Sequence, residues 1–130
     1  MSSQKTRIFI VDTLEIWRKI LINYISQTDD MEVVGEISSG QGAILMLEEI
    51  NPDVIMLEVS IKERIRITDI ISHIHQIAPQ VRVILCVDSV SKKEILTTVD
   101  LGIYDFITKT YQKQVVLRVI RDCLANPVNE

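Results

Sequence analysis

Only four glycines and three prolines interrupt this 130-residue chain. That is too few for a disordered polymer, and the wealth of Ile, Val and Leu suits a compact α/β domain. Basic charge is not in excess. Fourteen Lys and Arg stand against 18 Asp and Glu, the formal net charge is −4, and no basic run stands out. Direct nucleic-acid binding by these residues is therefore not expected. No apolar run is long enough to span a bilayer, and Met1-Ser2-Ser3-Gln4-Lys5-Thr6 has no apolar signal region. The two cysteines, Cys86 and Cys123, lie far apart inside apolar segments. They read as buried free thiols, which points to a reducing, cytoplasmic setting. No Gly-x-Gly-x-x-Gly or P-loop pattern follows the first apolar run, and Asp12-Thr13-Leu14-Glu15 is set to repel phosphates.

What is present is an alternation of short apolar runs and helical stripes. Arg7-Ile8-Phe9-Ile10-Val11 stops at Asp12 and reads as a buried strand. Leu14, Trp17, Leu21, Tyr24 and Ile25 then fall on one helical face. Glu32 to Ile37 is a short strand whose flanking acids fit a sheet edge. Ser38 with Gln41 three residues later has capping-box spacing, and Ile44, Leu45, Leu47 and Ile50 form the inward stripe of a second helix. Asn51-Pro52 stops it. Val54-Ile55-Met56-Leu57 follows as an apolar run closing on Glu58, the pattern of a strand buried on both faces.

Ser60 to Arg66 reads as a charged loop, and Ile67, Ile70, Ile71, Ile74 and Ile77 as a third helix. Val81 to Val87 is a fourth strand halting at Asp88. Ser91-Lys92-Lys93-Glu94 opens a fourth helix that closes at Leu101-Gly102. Ile103 to Thr108 is a fifth strand followed by Lys109. A last helix runs from about Gln112 to Leu124 on Val115, Val116, Val119, Ile120 and Cys123. Residues 1–125 make one domain, and 126–130 read as a tail or the start of a linker.

Five strand–helix units at this length predict a flavodoxin-like (βα)5 three-layer sandwich. Right-handed crossovers favour a parallel five-stranded sheet in the order 2-1-3-4-5, an order known from folds of this class. Ligand chemistry in such sheets gathers at the carboxyl ends of the strands, so Asp12, Glu58 and Lys109 are expected to meet.

The spacing of Arg7 to Asp12, of Val33-Val34-Gly35-Glu36, of the run closing on Glu58 and of Leu101-Gly102 to Lys109 resembles response-regulator receiver domains of the NarL/FixJ type. The resemblance implies a site in which a pair of acids after the first strand holds Mg²⁺ beside a phosphorylated Asp. A Ser or Thr after strand four and a Lys after strand five then contact the phosphoryl group. The residues depart from this pattern where the chemistry lies. Thr13 stands for the second acid, Glu58 for the phosphoacceptor and Val87 for the hydroxyl, and Phe106 holds the aromatic switch position without a hydroxyl. Asp88 adds negative charge nearby, and Lys62 and Arg66 replace the Pro and Gly of the loop after Glu58. Asp12 and Lys109 match.

The expectation is a degenerate phosphorylation pocket and no catalysis. No cofactor is expected, with Asp12 and Glu58 the remaining candidate Mg²⁺ ligands. Glu58 and Lys109 are expected to form a structural ion pair, with partial mimicry of a phosphorylated Asp the sharper alternative. The module would act by protein contact within a transcriptional regulator. A partner or second copy would use the face of the fourth helix, fifth strand and last helix, or the first helix. The resemblance also implies a helix-turn-helix output domain beyond these residues. The alternatives are a Mg²⁺-dependent phosphoacceptor with residual activity and a small-ligand-binding flavodoxin-like domain. His73 and His75, two apart on a helix, do not face each other as metal ligands would.

Overall fold

The computed structural model describes residues 4–59, 64–88, 103 and 105–125. Its elements are β1 (Thr6–Val11), α1 (Glu15–Ser26), β2 (Met31–Ile37), α2 (Gly40–Ile50), β3 (Val54–Val59), α3 (Arg64–Ile77), β4 (Arg82–Val87), β5 (Asp105–Thr108) and α4 (Lys113–Ala125), the last helix. The fourth helix expected from Ser91, with Lys92 and Lys93, lies outside the described residues, as does the segment after Ala125.

All strand pairs are parallel, in the order β2-β1-β3-β4-β5. Alternate residues of the strands point to opposite faces, and both faces are covered. Ile8, Ile10, Met56, Ile84 and Cys86 pack with α1 and α4, around Leu21, Ile25, Val116 and Ile120. Phe9, Val11, Ile55, Leu57, Val83 and Leu85 pack with α2 and α3, around Ala43, Leu47, Ile67 and Ile71. The continuous apolar runs of β1, β3 and β4 follow from this double burial.

β2 is an edge strand, and its acids are engaged there. Glu32 faces Arg7 at 4.0 Å, and Glu36 accepts from the Arg18 guanidinium at 2.7 Å. The stop of α2 is set locally. Asn51 adopts a left-handed backbone with φ 50°, which Asn tolerates better than most residues, and Pro52 follows. Arg7 then donates to the free carbonyls of Ile50 and Asn51 at 2.6 and 3.1 Å, tying the helix end to β1.

Some expectations are corrected. Ser39, not Ser38, caps α2, its hydroxyl accepting from the Gly42 amide at 3.0 Å. Leu45 is 87% exposed rather than on the inward stripe. Ala43 and Leu47 take the core one turn apart, and Leu45 between them turns outward. Leu14 is exposed because it precedes the helix as its N-cap instead of opening its buried face. α3 begins at Arg64, inside the expected loop. Leu117 joins the core from α4, while Val115 and Val119 are only half-buried. The basic residues of α4 are partly engaged: Lys113 hydrogen-bonds Gln27, and Arg121 holds Asp30 through two hydrogen bonds of 2.9 Å.

The Asp30–Arg121 pair predicts a small pH effect. The guanidinium hydrogen bond holds the Asp30 carboxyl below its ordinary value of 3.8. A carboxylate depressed on folding stabilises above its unfolded value and loses that contribution as pH falls through the folded one. The pair is half-exposed, so the contribution is under about 1 kcal/mol. Asp30→Asn is expected to lower the urea midpoint slightly at pH 6 and by less at pH 2. An equal deficit at both pH values would refute the assignment.

Candidate functional site

Parallel register brings three strand ends together. Val11 of β1 lies beside Leu57 of β3, which places Asp12 level with Glu58. Thr108 of β5 pairs with Val87 of β4, and the amide of Lys109 donates to the Val87 carbonyl at 2.7 Å. The lysine is thereby delivered to the same mouth of the sheet.

Asp12 is the centre of the arrangement. It is 2% exposed, and each carboxylate oxygen has a role. Oδ1 accepts from the Leu14 amide at 2.9 Å, turning the chain toward α1. Oδ2 lies 2.8 Å from the Lys109 ammonium. The Asp12 carbonyl accepts from Arg18 at 2.7 Å, so α1 grips the same residue from its other side.

The expected Glu58–Lys109 ion pair is present, but it is the longer of two that Lys109 makes. Lys109 sits 3.9 Å from Glu58 Oε1 and makes its short contact with Asp12 instead. Glu58 is satisfied by Thr13, whose hydroxyl donates to Oε1 at 2.8 Å with Oε2 at 3.5 Å. Side-chain length explains the choice. Glu58 reaches past the strand end to the β1–α1 loop, where Thr13 meets it. An ammonium at 11% exposure cannot stay uncompensated, and the more buried carboxylate binds it.

The other expected residues take separate places. Val87 is fully buried in the α2/α3 layer, and Phe106 is half-buried against the same layer. Asp88 is exposed and shares a cavity of about 230 Å³ with Glu58, Trp17 and Lys109. Cys86 and Cys123 are buried free thiols. Burial pushes the Cys86 thiol up to about 12, so it stays protonated beneath the site. Among the described residues, no group of three or more His, Cys, Asp or Glu is placed to hold a metal ion.

Two aromatic residues belong to the site without a motif to announce them. The Trp17 ring, taken from its spacing as core, lies 5.0 Å from the Lys109 ammonium in a cation–π contact. Its partner Tyr111 meets it edge-on, with centroids 5.6 Å apart at 84°. Tyr111 is buried, holds a left-handed φ of 39°, and its carbonyl accepts from the Tyr24 hydroxyl at 2.7 Å. Burial raises the Tyr111 phenol, and among the described residues its hydroxyl has no hydrogen-bond partner. The one signal available was the spacing: Trp17 lies one helical turn beyond the Asp12–Thr13 corner, and Tyr111 two residues beyond Lys109.

Beyond the acids, a larger cavity of about 600 Å³ opens toward the start of α2. Asp12, Thr13 and Glu58 stand on its polar side and Ile44 and Ile70 on its apolar side.

Comparison with known proteins agrees with this fold. The family model for the response regulator receiver domain matches residues 8–121. The protein-glutamate methylesterase/protein-glutamine glutaminase of Trichodesmium erythraeum is 38% identical over 108 residues, covering 81% of this chain and 30% of the relative. The response regulator protein VraR of Staphylococcus aureus is 28% identical over 115 residues, covering 88% of this chain and 54% of that protein. The chain thus spans about half or less of the length of these relatives. Among solved structures, the receiver domain of the response regulator NarL from Mycobacterium tuberculosis superimposes with a TM-score of 0.82 at 18% identity, covering 95% of this chain and 99% of that one. The response regulator domain of Thermotoga maritima CheB gives 0.76 at 23% identity, covering 95% and 100%. A parallel 2-1-3-4-5 sheet whose ends converge on Asp12, Glu58 and Lys109, matched by the family model over most of its length, makes this chain a member of the response regulator receiver domain family.

Proposed function

We propose that this receiver domain is a signalling and interaction module that does not take phosphate, acting by protein contact within a cytoplasmic transcriptional regulator. The observation that carries the reading is the internal pairing of the acids, by hydrogen bond and ion pair. Glu58 is occupied by Thr13, and Asp12 by Lys109 and the Leu14 amide. The longer Glu side chain fills the space an incoming phosphoryl group needs, and in-line transfer tolerates little misplacement, about 1 Å costing roughly a hundredfold.

Bound Mg²⁺ fits these residues poorly. The ion demands near-octahedral oxygen ligands and dehydrates reluctantly. Thr13 stands beside Asp12 where a second carboxylate would serve the metal, and both oxygens of Asp12 already accept hydrogen bonds or ion-pair. No step is therefore assigned to a metal. The ligand-binding alternative gains room from the 600 Å³ cavity but not chemistry, because Asp12 and Glu58 line it and repel phosphate-bearing ligands. Exposed Leu14 and Ile16 at the start of α1 support contact with a protein. A DNA-binding output domain C-terminal to these residues, as the resemblance implies, belongs to the same reading.

Intact mass after incubation with acetyl phosphate and Mg²⁺ tests it. The expected spectrum contains the unmodified chain alone. A stoichiometric, base-labile phosphoryl adduct that Glu58→Gln abolishes would overturn the reading in favour of a working phosphoacceptor.

A further inference from the structure

The side chains of Asp12, Glu58 and Lys109 each touch the start of α1 or the loop leading into it. Glu58 of β3 accepts from Thr13 at 2.8 Å, two residues before the helix. Lys109, after β5, lies 5.0 Å from the Trp17 ring in the first turn. Asp12 accepts from the Leu14 amide at the N-cap and, through its carbonyl, from Arg18 at 2.7 Å. Below Lys109, Tyr111 braces Trp17 edge-on and receives the Tyr24 hydroxyl from the third turn. On the opposite side, the residue beside Lys109 on β4 is Val87, whose side chain is buried and carries no polar group.

We infer that α1 is the element through which this chain reports the state of its site, with Thr13 as the link to Glu58 and Trp17 as the link to Lys109. The inference goes beyond the absence of phosphoryl transfer, since the contacts to α1 act on whatever charge Glu58 and Lys109 carry. A change at Glu58 is felt first by Thr13, which sets the loop carrying the N-cap Leu14. A shift of Lys109 is felt by the indole face and by the helix turn that holds it. Local opening of a helix end is governed by few contacts, so loss of one such link changes the population of open forms there and leaves distant helices untouched.

The chain has a single tryptophan, so its emission reads this one contact. Thr13→Val and Glu58→Ala each delete the same hydrogen bond from opposite ends, and Thr13 is exposed enough for valine to be accommodated. In the purified chain, each variant is expected to speed amide exchange at Trp17 to Ile20 by about fivefold, the factor for one ordinary hydrogen bond. Each also shifts Trp17 emission, while the amides of α3 exchange as before. The double variant is expected to exchange no faster than either single one, because one link is broken only once. Lys109→Met is expected to shift Trp17 emission further, and Glu49→Gln on α2 to change neither signal. Unchanged exchange at Trp17 to Ile20 would overturn the inference. So would additive effects in the double variant, or equal acceleration in every helix.

Discussion

Lys109→Met is expected to lower folding stability by about 3–5 kcal/mol, the usual consequence of removing one partner from a buried ion pair. The size follows from burial rather than from charge alone. Asp12 is 2% exposed, and its Oδ2 loses the ammonium 2.8 Å away. Glu58, whose Oε1 sits 3.9 Å from the same nitrogen, loses a second attraction. Two carboxylates then share one corner with the Thr13 hydroxyl and the Leu14 amide as their remaining partners. By contrast, Arg121→Ala breaks a half-exposed pair and is expected to cost under about 1 kcal/mol. Urea denaturation measures both. The double variant Asp12→Asn, Lys109→Met is expected to recover part of the single loss, since a neutral amide replaces the stranded charge. A Lys109→Met midpoint equal to that of Arg121→Ala would remove the buried pair from the account.

Position 111 is expected to reverse the usual order of glycine and alanine. Tyr111→Ala should cost about 3–5 kcal/mol, because a buried ring packed between α1, α4 and the Trp17 edge leaves a cavity. The backbone there has φ 39°, where an L side chain carries a strain of about 1–2 kcal/mol and glycine carries none. Tyr111→Gly is therefore expected to be the more stable of the two small variants, by about 1 kcal/mol after its extra unfolded-state entropy. Tyr111→Phe keeps the ring and is expected to stay within about 1 kcal/mol of the parent, since the buried hydroxyl has no hydrogen-bond partner to lose among the described residues. Thermal and urea denaturation of the four proteins would rank them. Alanine more stable than glycine at this position would show that the left-handed turn is not under strain.

The two cases separate what was legible from what was not. That Asp12, Glu58 and Lys109 meet could be read from apolar runs ending on charged residues. A buried strand puts a charge only where the sheet opens, and parallel strands open at the same end. The edge position of β2 was legible for a related reason, because its acids protect an unpaired strand. Leu45 shows where a stripe misleads: a leucine two positions from each of two core residues faces away from both, whatever its hydropathy.

The partners inside the site were not legible. Pairing Lys109 with Glu58 was the natural expectation, since both sit at strand ends, and that pair exists at 3.9 Å, but the short contacts are Lys109 with Asp12 and Glu58 with Thr13. The competition among two acids, one ammonium and one hydroxyl is decided by side-chain reach and burial at distances near 3 Å. Spacing along the chain carries no information at that scale. Trp17 and Tyr24 likewise lie at positions that fit an ordinary core stripe, and Tyr111, in the loop before α4, fits no pattern. Their role around Lys109 arises only when α1 and α4 pack on one face of the sheet.

Periodicity and the charges that end each run were therefore enough for the fold, the strand order once the class was recognised, and the membership of the acidic corner. Those features depend on which residues water excludes, and hydropathy records that directly. The closed pairing of the corner and its attachment to α1 were settled by tertiary packing. They depend on contacts between residues up to 97 positions apart, such as Lys109 with Asp12, and such contacts exist only after the sheet has set their distances.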